Sequence, residues 1–406
     1  MTLIKTIVSV VSGMLVLAAC NKSDPTVPPA KTATQYAYTL HFSGADPRVF
    51  VPGGEYTFEI VNRDDAGNPV PLKEDVKCVL SVPAGTSTYV NEFNAKYDAQ
   101  TLVLPSSMYK VDSVTMAAGQ SSARIVLKIK RDNVVKAARK NAYVLPLEIV
   151  SSNPALLSHD LRYVMIPGQS VNGAGQTVVH LSNAADSLVI HQVAAGASKA
   201  VVFYPGGGYE QLSSGKPTAT EYPSDLYTVA TLYYRLPIGD LRGKYWCPMQ
   251  DAEDAVDFMR AHASEFGDYS MVGVAGRSAG GHLAGVTAAY NKEKVDFQIL
   301  LYPVINMDDG STHDGSAKYF LGPLPSRELV DAYTVYKLVA SDTPRTYLAY
   351  SLDDYTVPQQ YNGVPMGEAL KAKGVSCEIR PHDTGGHATS GWSDYPSSLQ
   401  NWLKTF

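Results

Sequence analysis

Residues 271–282 read MVGVAGRSAGGH, and this stretch decides the fold expected for the second half of the chain. Met271–Ala275 is a near-continuous apolar run that predicts a buried strand. Gly276–Gly280 follows it and matches the pattern G-x-S-x-G, with a predicted helix over 279–290. The glycines are needed because a sharp strand-to-helix turn leaves no room for side chains beside the serine. Ser278 is therefore a candidate nucleophile, and a tightly packed strand–helix turn without chemistry is the alternative.

The alternation of apolar strand and helix extends over residues 176–406. In the sequence, Ala252, Ala255, Val256 and Met259 recur at helical spacing and predict a helix over 251–262. Pro223 predicts an irregular segment where a first crossover helix is expected. Strands alternating with helices predict a doubly wound, mainly parallel sheet. Its further strands are expected at 178–181, 188–191, 200–204, 228–233, 297–302, 346–350 and 375–379.

Residues 35–166 have a different pattern, with short strands of alternating polarity separated by turn residues. This pattern predicts an all-β, sandwich-like domain in front of the α/β domain. It contains no nucleophile–base set and no metal-ligand cluster, so we expect a spacer or packing module. The predicted strands are 36–42, 56–61, 76–80, 122–129 and 143–150.

The first twenty residues are typical of an export signal. Lys5 precedes an apolar run over 7–19 that is too short to span a bilayer core of ~30 Å. The run ends in Leu17-Ala18-Ala19-Cys20, which resembles the lipobox of bacterial lipoproteins. That resemblance implies a signal peptide over 1–19 and acylation of Cys20. Acyl chains would attach the protein durably to a membrane. An ordinary signal peptide with a chance cysteine is the alternative.

Residues 20–34 comprise the predicted lipidated cysteine and a linker, which is polar and proline-rich, as expected for a tether. We therefore expect an exported, membrane-anchored protein, at the outer membrane and cell surface or in the periplasm of a Gram-negative bacterium. The net charge of −5 provides no basic field for nucleic acid, which we exclude as a partner. The sequence leaves the oligomeric state open.

Three further cysteines, without metal-ligand spacing, are expected as buried thiols outside any disulfide framework: Cys78, Cys247 and Cys377.

Three other motifs complete a catalytic pattern around Ser278. Pro205-Gly206-Gly207-Gly208-Tyr209 follows the strand expected at 200–204, where glycine N–H groups can face an acyl carbonyl together with the N–H of Ala279. A flexible glycine loop is the alternative; no Gly-Lys-Ser/Thr follows, which excludes a phosphate loop. Asp353 and Asp354 follow one late strand, and His387 follows the next. The resulting order of serine, acid and histidine suits proton transfer from serine to an imidazole oriented by a carboxylate.

Residues 176–406 resemble the α/β-hydrolase esterases grouped with hormone-sensitive lipase and acetylxylan esterase. The resemblance implies that Ser278 is the nucleophile and His387 the base. It implies Asp354 as the acid rather than Asp353, because the family's acid lies three residues before the valine of Val-Pro. Gly207, Gly208 and Ala279 would form the oxyanion hole. The shared motifs are PGGGY at 205–209, YRLP at 234–237, GRSAGGH at 276–282, LYPV at 301–304, DDYTVP at 353–358 and GGH at 385–387.

Besides Pro223, the sequence departs from the family pattern at two positions. Pro205 replaces the histidine of the His-Gly-Gly-Gly form of the loop, and Ala388 stands where glycine is usual.

The N-terminal domain, through residues 91–105 and 143–147, resembles a recurrent domain of surface lipoproteins from glycan-degrading Gram-negative bacteria. Together the resemblances imply a serine carboxylesterase without metal or cofactor. It would remove short acyl groups, above all acetyl, from plant polysaccharides or oligosaccharides through an acyl-enzyme.

Other ester classes stay open on the sequence alone, namely simple carboxylesters, feruloyl esters and peptides. So does a different class of protein, a glycan-binding lipoprotein with an inert hydrolase domain. His282 is expected to be a packing histidine. A solvated or cap-like loop is favoured over a metal site for Asp308, Asp309, His313 and Asp314. The wet face of a helix is expected for Asp251, Glu253, Asp254 and Asp257.

Overall fold

The structure is a computed structural model, and it describes residues 38–406 apart from 131–141, 157–159, 184, 194–195, 214, 216, 218–219, 224, 240–242, 309 and 311. The segments 1–19 and 20–34 lie outside the described residues. The signal peptide, the acylated Cys20 and the tether therefore stay predictions. Among the described residues, none of the helices combines the length and the apolar character needed to cross a membrane.

The N-terminal domain consists of two sheets that enclose an apolar core. The first has the order β1-β3-β8-β6, with β1 (Tyr38–Phe42), β3 (Gly54–Asp64), β8 (Ser122–Ile129) and β6 (Tyr109–Val111). The second has the order β2-β10-β9-β4-β7, with β2 (Arg48–Phe50), β10 (Arg162–Ile166), β9 (Tyr143–Ser151), β4 (Val76–Ser81) and β7 (Ser113–Met116), while β5 (Leu102–Val103) pairs with β9. Side chains from both sheets meet in one cluster, among them Phe58, Ile60, Leu145 and Leu147.

The part of the second sheet formed by β2, β10 and the first half of β9 packs against apolar side chains on both of its faces. Along β9, Leu145 and Leu147 point into the domain's own core, whereas the preceding residue Val144 joins the core of the C-terminal domain. Helix α1 (Thr86–Tyr97) adds Val90 and Phe93 to that second core. The prediction of a β-rich domain is confirmed, but the sequence missed α1. With only two buried side chains, this helix shows no apolar stripe from which helical spacing could be recognised.

The C-terminal domain is built on a nine-stranded sheet with the order β11-β12-β13-β15-β14-β16-β17-β18-β19. The strands β14 to β19 run parallel to one another, and β11, β12 and β13 add an antiparallel edge. The predicted doubly wound, mainly parallel sheet is confirmed. The strands are β11 (Gly168–Val171), β12 (Thr177–His180), β13 (Ser187–Gln192), β14 (Lys199–Tyr204), β15 (Tyr227–Tyr233), β16 (Met271–Arg277), β17 (Phe297–Leu301), β18 (Arg345–Ser351) and β19 (Cys377–His382).

Helices cover both faces of this sheet, because the apolar strands need a partner on each side. α2 (Trp246–Ala261), α3 (Ala279–Tyr290) and α6 (Gly363–Ala372) pack in one core, and α7 (Ser397–Leu403) packs in another with Phe297 and Tyr347. No helix occurs among the described residues of 205–226, in agreement with the irregular segment predicted at Pro223. The remaining helices are α4 (Asp314–Leu321) and α5 (Arg327–Tyr333), with 3₁₀ turns at Ser106–Met108, Ala263–Glu265, Val335–Leu338 and Gln359–Tyr361.

The strand order locates the functional crevice. β14 pairs with β15 on one side and with β16 on the other. The chain therefore crosses from β14 to β15 in one direction across the sheet, and from β15 to β16 in the opposite direction. In open α/β sheets, ligands bind beyond the carboxyl ends of the strands at such a reversal. The segments after β14, β16, β18 and β19 all begin at that edge.

Contact between the two domains corrects the prediction for the acidic residues of α2. Asp251 and Asp254 are buried, not exposed on a wet face. Asp254 pairs with Arg48 of β2, and Asp251 pairs with Arg235, whose Nη1 also donates to the carbonyl of Asp98 at 2.9 Å. The acidic side of the helix is therefore covered by the N-terminal domain, which periodicity within the helix could not reveal.

Replacing Arg48 should destabilise the protein. Burial raises the pKa of Asp254 well above its usual range, opposed by the Arg48 guanidinium. Arg48→Met leaves this carboxyl in the interface without its cation, and loss of one partner of a buried pair costs about 3–5 kcal/mol. We expect a lower thermal unfolding temperature for Arg48→Met and recovery of most of it in Arg48→Met/Asp254→Leu. Equal unfolding temperatures of the wild type and Arg48→Met would contradict a stabilising role for the pair.

Candidate active site

Ser278 lies at the sharp turn between β16 and α3 in a conformation that side chains rarely adopt. Its backbone angles are φ 55° and ψ −122°. A Cβ at Gly276 would lie 2.0 Å from the carbonyl oxygen of Gly280, and one at Gly280 would lie 2.0 Å from that of Tyr204. The two glycines therefore permit the close approach of α3 to the sheet. Strained backbone of this kind persists only where its surroundings hold it, and it raises the serine above the sheet edge.

The structure brings the predicted serine, histidine and acid together. Nε2 of His387 lies 2.9 Å from Oγ of Ser278, and Nδ1 of His387 lies 2.7 Å from Oδ2 of Asp354. Each residue comes from a loop after a different strand, namely β16, β18 and β19. The rings of Tyr302 and His387 pack in a T-shaped arrangement, with centroids 4.7 Å apart. The arrangement lets His387 accept the serine proton while the carboxylate fixes the Nδ1–H tautomer.

Asp353 and Asp354 have different partners. Asp354 is 2% exposed, and its Oδ1 accepts hydrogen bonds from the N–H groups of Thr356 at 3.0 Å and Val357 at 2.9 Å. These bonds fix the carboxylate while Oδ2 faces His387. Asp353 instead accepts a hydrogen bond from the N–H of Gly386 at 2.8 Å, which holds the loop that carries His387. The geometry thus favours Asp354 as the partner of the histidine.

The glycine loop after β14 has unused backbone donors beside Ser278. Its carbonyls accept hydrogen bonds: that of Gly206 from Ser213, and that of Gly207 from Glu210 and Gln211. The N–H groups of Gly207, Gly208 and Ala279 donate to no acceptor within the described part of the chain. A Cβ at Gly206 would lie 3.0 Å from Cβ of Ser278, so the loop packs directly on the serine. Backbone donors at this place suit an oxyanion.

Buried tyrosines hold the glycine loop. The hydroxyl of Tyr234 donates to the carbonyl of Pro205 at 2.7 Å, so the proline in place of histidine does not leave the loop unsupported. Tyr209 is fully buried, and its hydroxyl lies 2.7 Å from Nδ1 of His282. Nε2 of His282 lies 2.8 Å from the carbonyl oxygen of Tyr333. Because a carbonyl only accepts, Nε2 carries the proton and Nδ1 accepts from Tyr209.

His282 is an interior residue, and burial lowers its pKa to about 4. It stays neutral at pH 7 and anchors the glycine loop through Tyr209. Sequence reasoning identified His282 as a packing residue but missed this connection. It also missed Gln359, whose Nε2 lies 3.4 Å from Oδ2 of Asp354. No spacing rule relates these residues, because the chain folds back between them.

The acidic loop before α4 does not gather its side chains into one cluster. Asp308 pairs with Arg327, and Asp314 lies 4.0 Å from Lys318. His313 caps α4, and Asp309 lies outside the described residues. Elsewhere, three carboxylates of the domain interface lie close enough together to bind a cation: Asp46, Glu253 and Asp257. The Lys294 ammonium lies 2.9–3.8 Å from all three and supplies their positive charge.

The cysteines have simple surroundings. Cys78 and Cys247 are buried free thiols, as predicted, whereas Cys377 is only half-buried. Cys377 begins β19, which is the edge strand of the large sheet among the described residues. The prediction that all three are buried was therefore wrong for Cys377.

Comparison with known proteins agrees with this architecture. Residues 228–390 match a family model described as the alpha/beta hydrolase fold, and residues 35–156 match a separate model of an N-terminal domain. The C-terminal domain has the α/β-hydrolase fold. A sugar hydrolase from Lactococcus lactis shares the fold of this hydrolase domain, with a TM-score of 0.50 and 22% identity over 56% of this chain and 97% of that one.

Two curated proteins resemble the hydrolase domain in sequence. An acetylxylan esterase from Xylanibacter ruminicola is 32% identical over 222 residues, 51% of this chain and 45% of that protein. An endo-1,4-beta-xylanase B from Butyrivibrio fibrisolvens is 28% identical over 224 residues, 49% of this chain and 35% of that protein. The chain thus spans less than half the length of these relatives. The predicted resemblance to the α/β-hydrolase esterases is confirmed.

Replacing each of the two neighbouring aspartates by asparagine tests their roles. Asp354→Asn removes the charge that orients His387, and loss of the corresponding carboxylate in such triads lowers kcat about 10⁴-fold. Asp353→Asn is the matched control, because an amide oxygen can still accept the hydrogen bond from Gly386. We expect a loss of less than about tenfold there, equivalent to one neutral hydrogen bond. The measurement is steady-state cleavage of p-nitrophenyl acetate; a greater loss in Asp353→Asn than in Asp354→Asn would reverse the assignment.

Proposed function

We propose that the protein is a serine carboxylesterase that removes short acyl groups, above all acetyl, from plant polysaccharides or oligosaccharides. The observation that carries the proposal is the hydrogen-bonded series of Ser278, His387 and Asp354 beside unused backbone donors. Such a series is suited to nucleophilic attack on an ester carbonyl and needs no cofactor.

Each group has one task in the proposed reaction. Oγ of Ser278 attacks the acyl carbon while Nε2 of His387 takes its proton, and the imidazolium is stabilised by Asp354. The carbonyl oxygen gains negative charge, which the N–H groups of Gly207, Gly208 and Ala279 bind, aided by the N-terminus of α3. The alcohol leaves with the proton from His387, and the acyl group stays on Ser278. Water then attacks this ester by the same path and releases the carboxylic acid.

The substrate class is supported by similarity rather than by the triad. The triad alone would suit several esters, since a fold does not choose its substrate. The relative that is 32% identical over the hydrolase domain is named for acetylxylan, and the second relative is a xylanase. Both names belong to proteins of which this chain covers less than half. They favour an acetylated plant glycan as the substrate over a simple lipid ester.

The decisive experiment compares esters with and without a sugar. The purified protein is incubated with p-nitrophenyl acetate, acetylated xylo-oligosaccharides, acetylated manno-oligosaccharides and feruloylated oligosaccharides, each beside Ser278→Ala. We expect acetate release that depends on Ser278 and a higher kcat/KM for the acetylated xylo-oligosaccharides than for the other sugar esters. Absence of Ser278-dependent turnover on every ester would favour an inert, glycan-binding domain. Faster feruloyl release would contradict the choice of acetyl.

A further inference from the structure

His313 has a proton position determined by its backbone contact. It is the N-cap of α4, where its Nδ1 lies 3.2 Å from the backbone N of Ser316 and 2.9 Å from Oγ of Ser316. A backbone N–H can only donate, so Nδ1 must be the unprotonated, accepting nitrogen. Nε2 of the neutral imidazole therefore carries the proton and is a hydrogen-bond donor.

The imidazole of His313 lies against the glycine loop of the active site. A Cβ at Gly208 would lie 3.2 Å from Cε1 of His313, and one at Gly315 would lie 3.0 Å from the same atom. The ring thus fits between two residues that lack side chains. It meets Gly208 in the direction of the missing side chain and not at its N–H group. That N–H stays available to an oxyanion.

The electrostatic surroundings keep His313 neutral. Burial lowers its pKa below the usual value, and the nearby His387 lowers it further, while Asp314, Asp354 and Glu210 act in the opposite direction. A neutral ring preserves the accepting Nδ1 that caps α4, because protonation would place a hydrogen between Nδ1 and the Ser316 N–H. His313 is therefore a donor without a full charge.

Nε2 of His313 has no hydrogen-bond partner among the described residues. The side chain is half-buried, and its hydrogen bonds within the described part of the chain all involve Nδ1, so the solvent-accessible Nε2–H is open to a partner that enters the site. Other histidines around the glycine loop have both ring nitrogens engaged, as in His282 and His387. A fixed, unused donor beside the catalytic loop is arranged to meet an acceptor that arrives with the substrate.

We propose that His313 is a specificity-determining residue whose Nε2–H donates to an oxygen of the sugar that carries the ester. This inference rests on the proposed function. The acyl oxygen already faces the backbone donors of the glycine loop, whereas a sugar ester has hydroxyl and ring oxygens adjacent to the ester bond. p-Nitrophenyl acetate has no such oxygen and serves as the comparison substrate.

Three substitutions separate this contact from helix capping. Asn is a strong N-cap residue, so His313→Asn keeps an acceptor for the Ser316 N–H but places no group at Nε2. His313→Gln returns an N–H donor near the original Nε2. Ser316→Ala removes the hydroxyl beside Nδ1 and leaves both the backbone N–H and Nε2. Circular dichroism of each variant checks that it is folded.

The readout is the ratio of kcat/KM for acetylated xylobiose to that for p-nitrophenyl acetate. We expect His313→Asn to lower this ratio about tenfold, mainly through KM, as for the loss of one hydrogen bond. His313→Gln should restore part of it, and Ser316→Ala should leave it unchanged. Equal losses on both esters would show that His313 acts through Gly208 and the oxyanion donors, which overturns the proposal. An unchanged ratio in His313→Asn, with Ser278-dependent acetate release intact, would overturn this contact and leave the proposed function standing.

Discussion

The strained backbone of Ser278 is the constraint on which the rest of the active site depends. A residue with φ 55° between β16 and α3 requires the helix to start almost in contact with β14. That approach is possible only because Gly276 and Gly280 have no side chains. It also brings the first N–H of α3 to the same place as the glycine loop after β14. The nucleophile and the oxyanion donors are therefore positioned by one packing requirement, and the histidine and the acid are added by later strands.

The same sheet serves both catalysis and the attachment of the N-terminal domain. Arg235 follows β15, pairs with Asp251 of α2 and donates to the carbonyl of Asp98, whereas its neighbour Tyr234 supports Pro205 at the glycine loop. One short segment thus links the domain interface to the active-site loop. Since residues 144–147 of β9 are buried and contribute to both cores, this domain is packed as part of the core of the molecule. The spacer role expected from its sequence describes its lack of catalytic groups but not this packing.

Local pattern was sufficient wherever one short segment determines its own structure. The apolar runs located the parallel strands. The glycines around Ser278 indicated the turn, because a turn this tight requires residues without side chains at those positions. Residues whose environment comes from distant segments were not predictable in this way. Asp254 is buried against Arg48, which lies about two hundred positions away in the chain. Nothing within α2 reveals that contact. The sequence predicts only a solvated or cap-like loop around His313, because the contact of His313 with Gly208 joins two segments that are far apart in the chain.

The most direct test of the account is covalent labelling of the nucleophile. The folded protein is treated with a fluorophosphonate, which reacts with serines activated by a neighbouring histidine, and the adduct is located by intact-mass measurement and peptide mapping. We expect one adduct per chain, on Ser278, and labelling that is greatly slowed in His387→Ala. Labelling of a different residue, or equal labelling of Ser278 in wild type and His387→Ala, would contradict the claim that Ser278 is activated by His387.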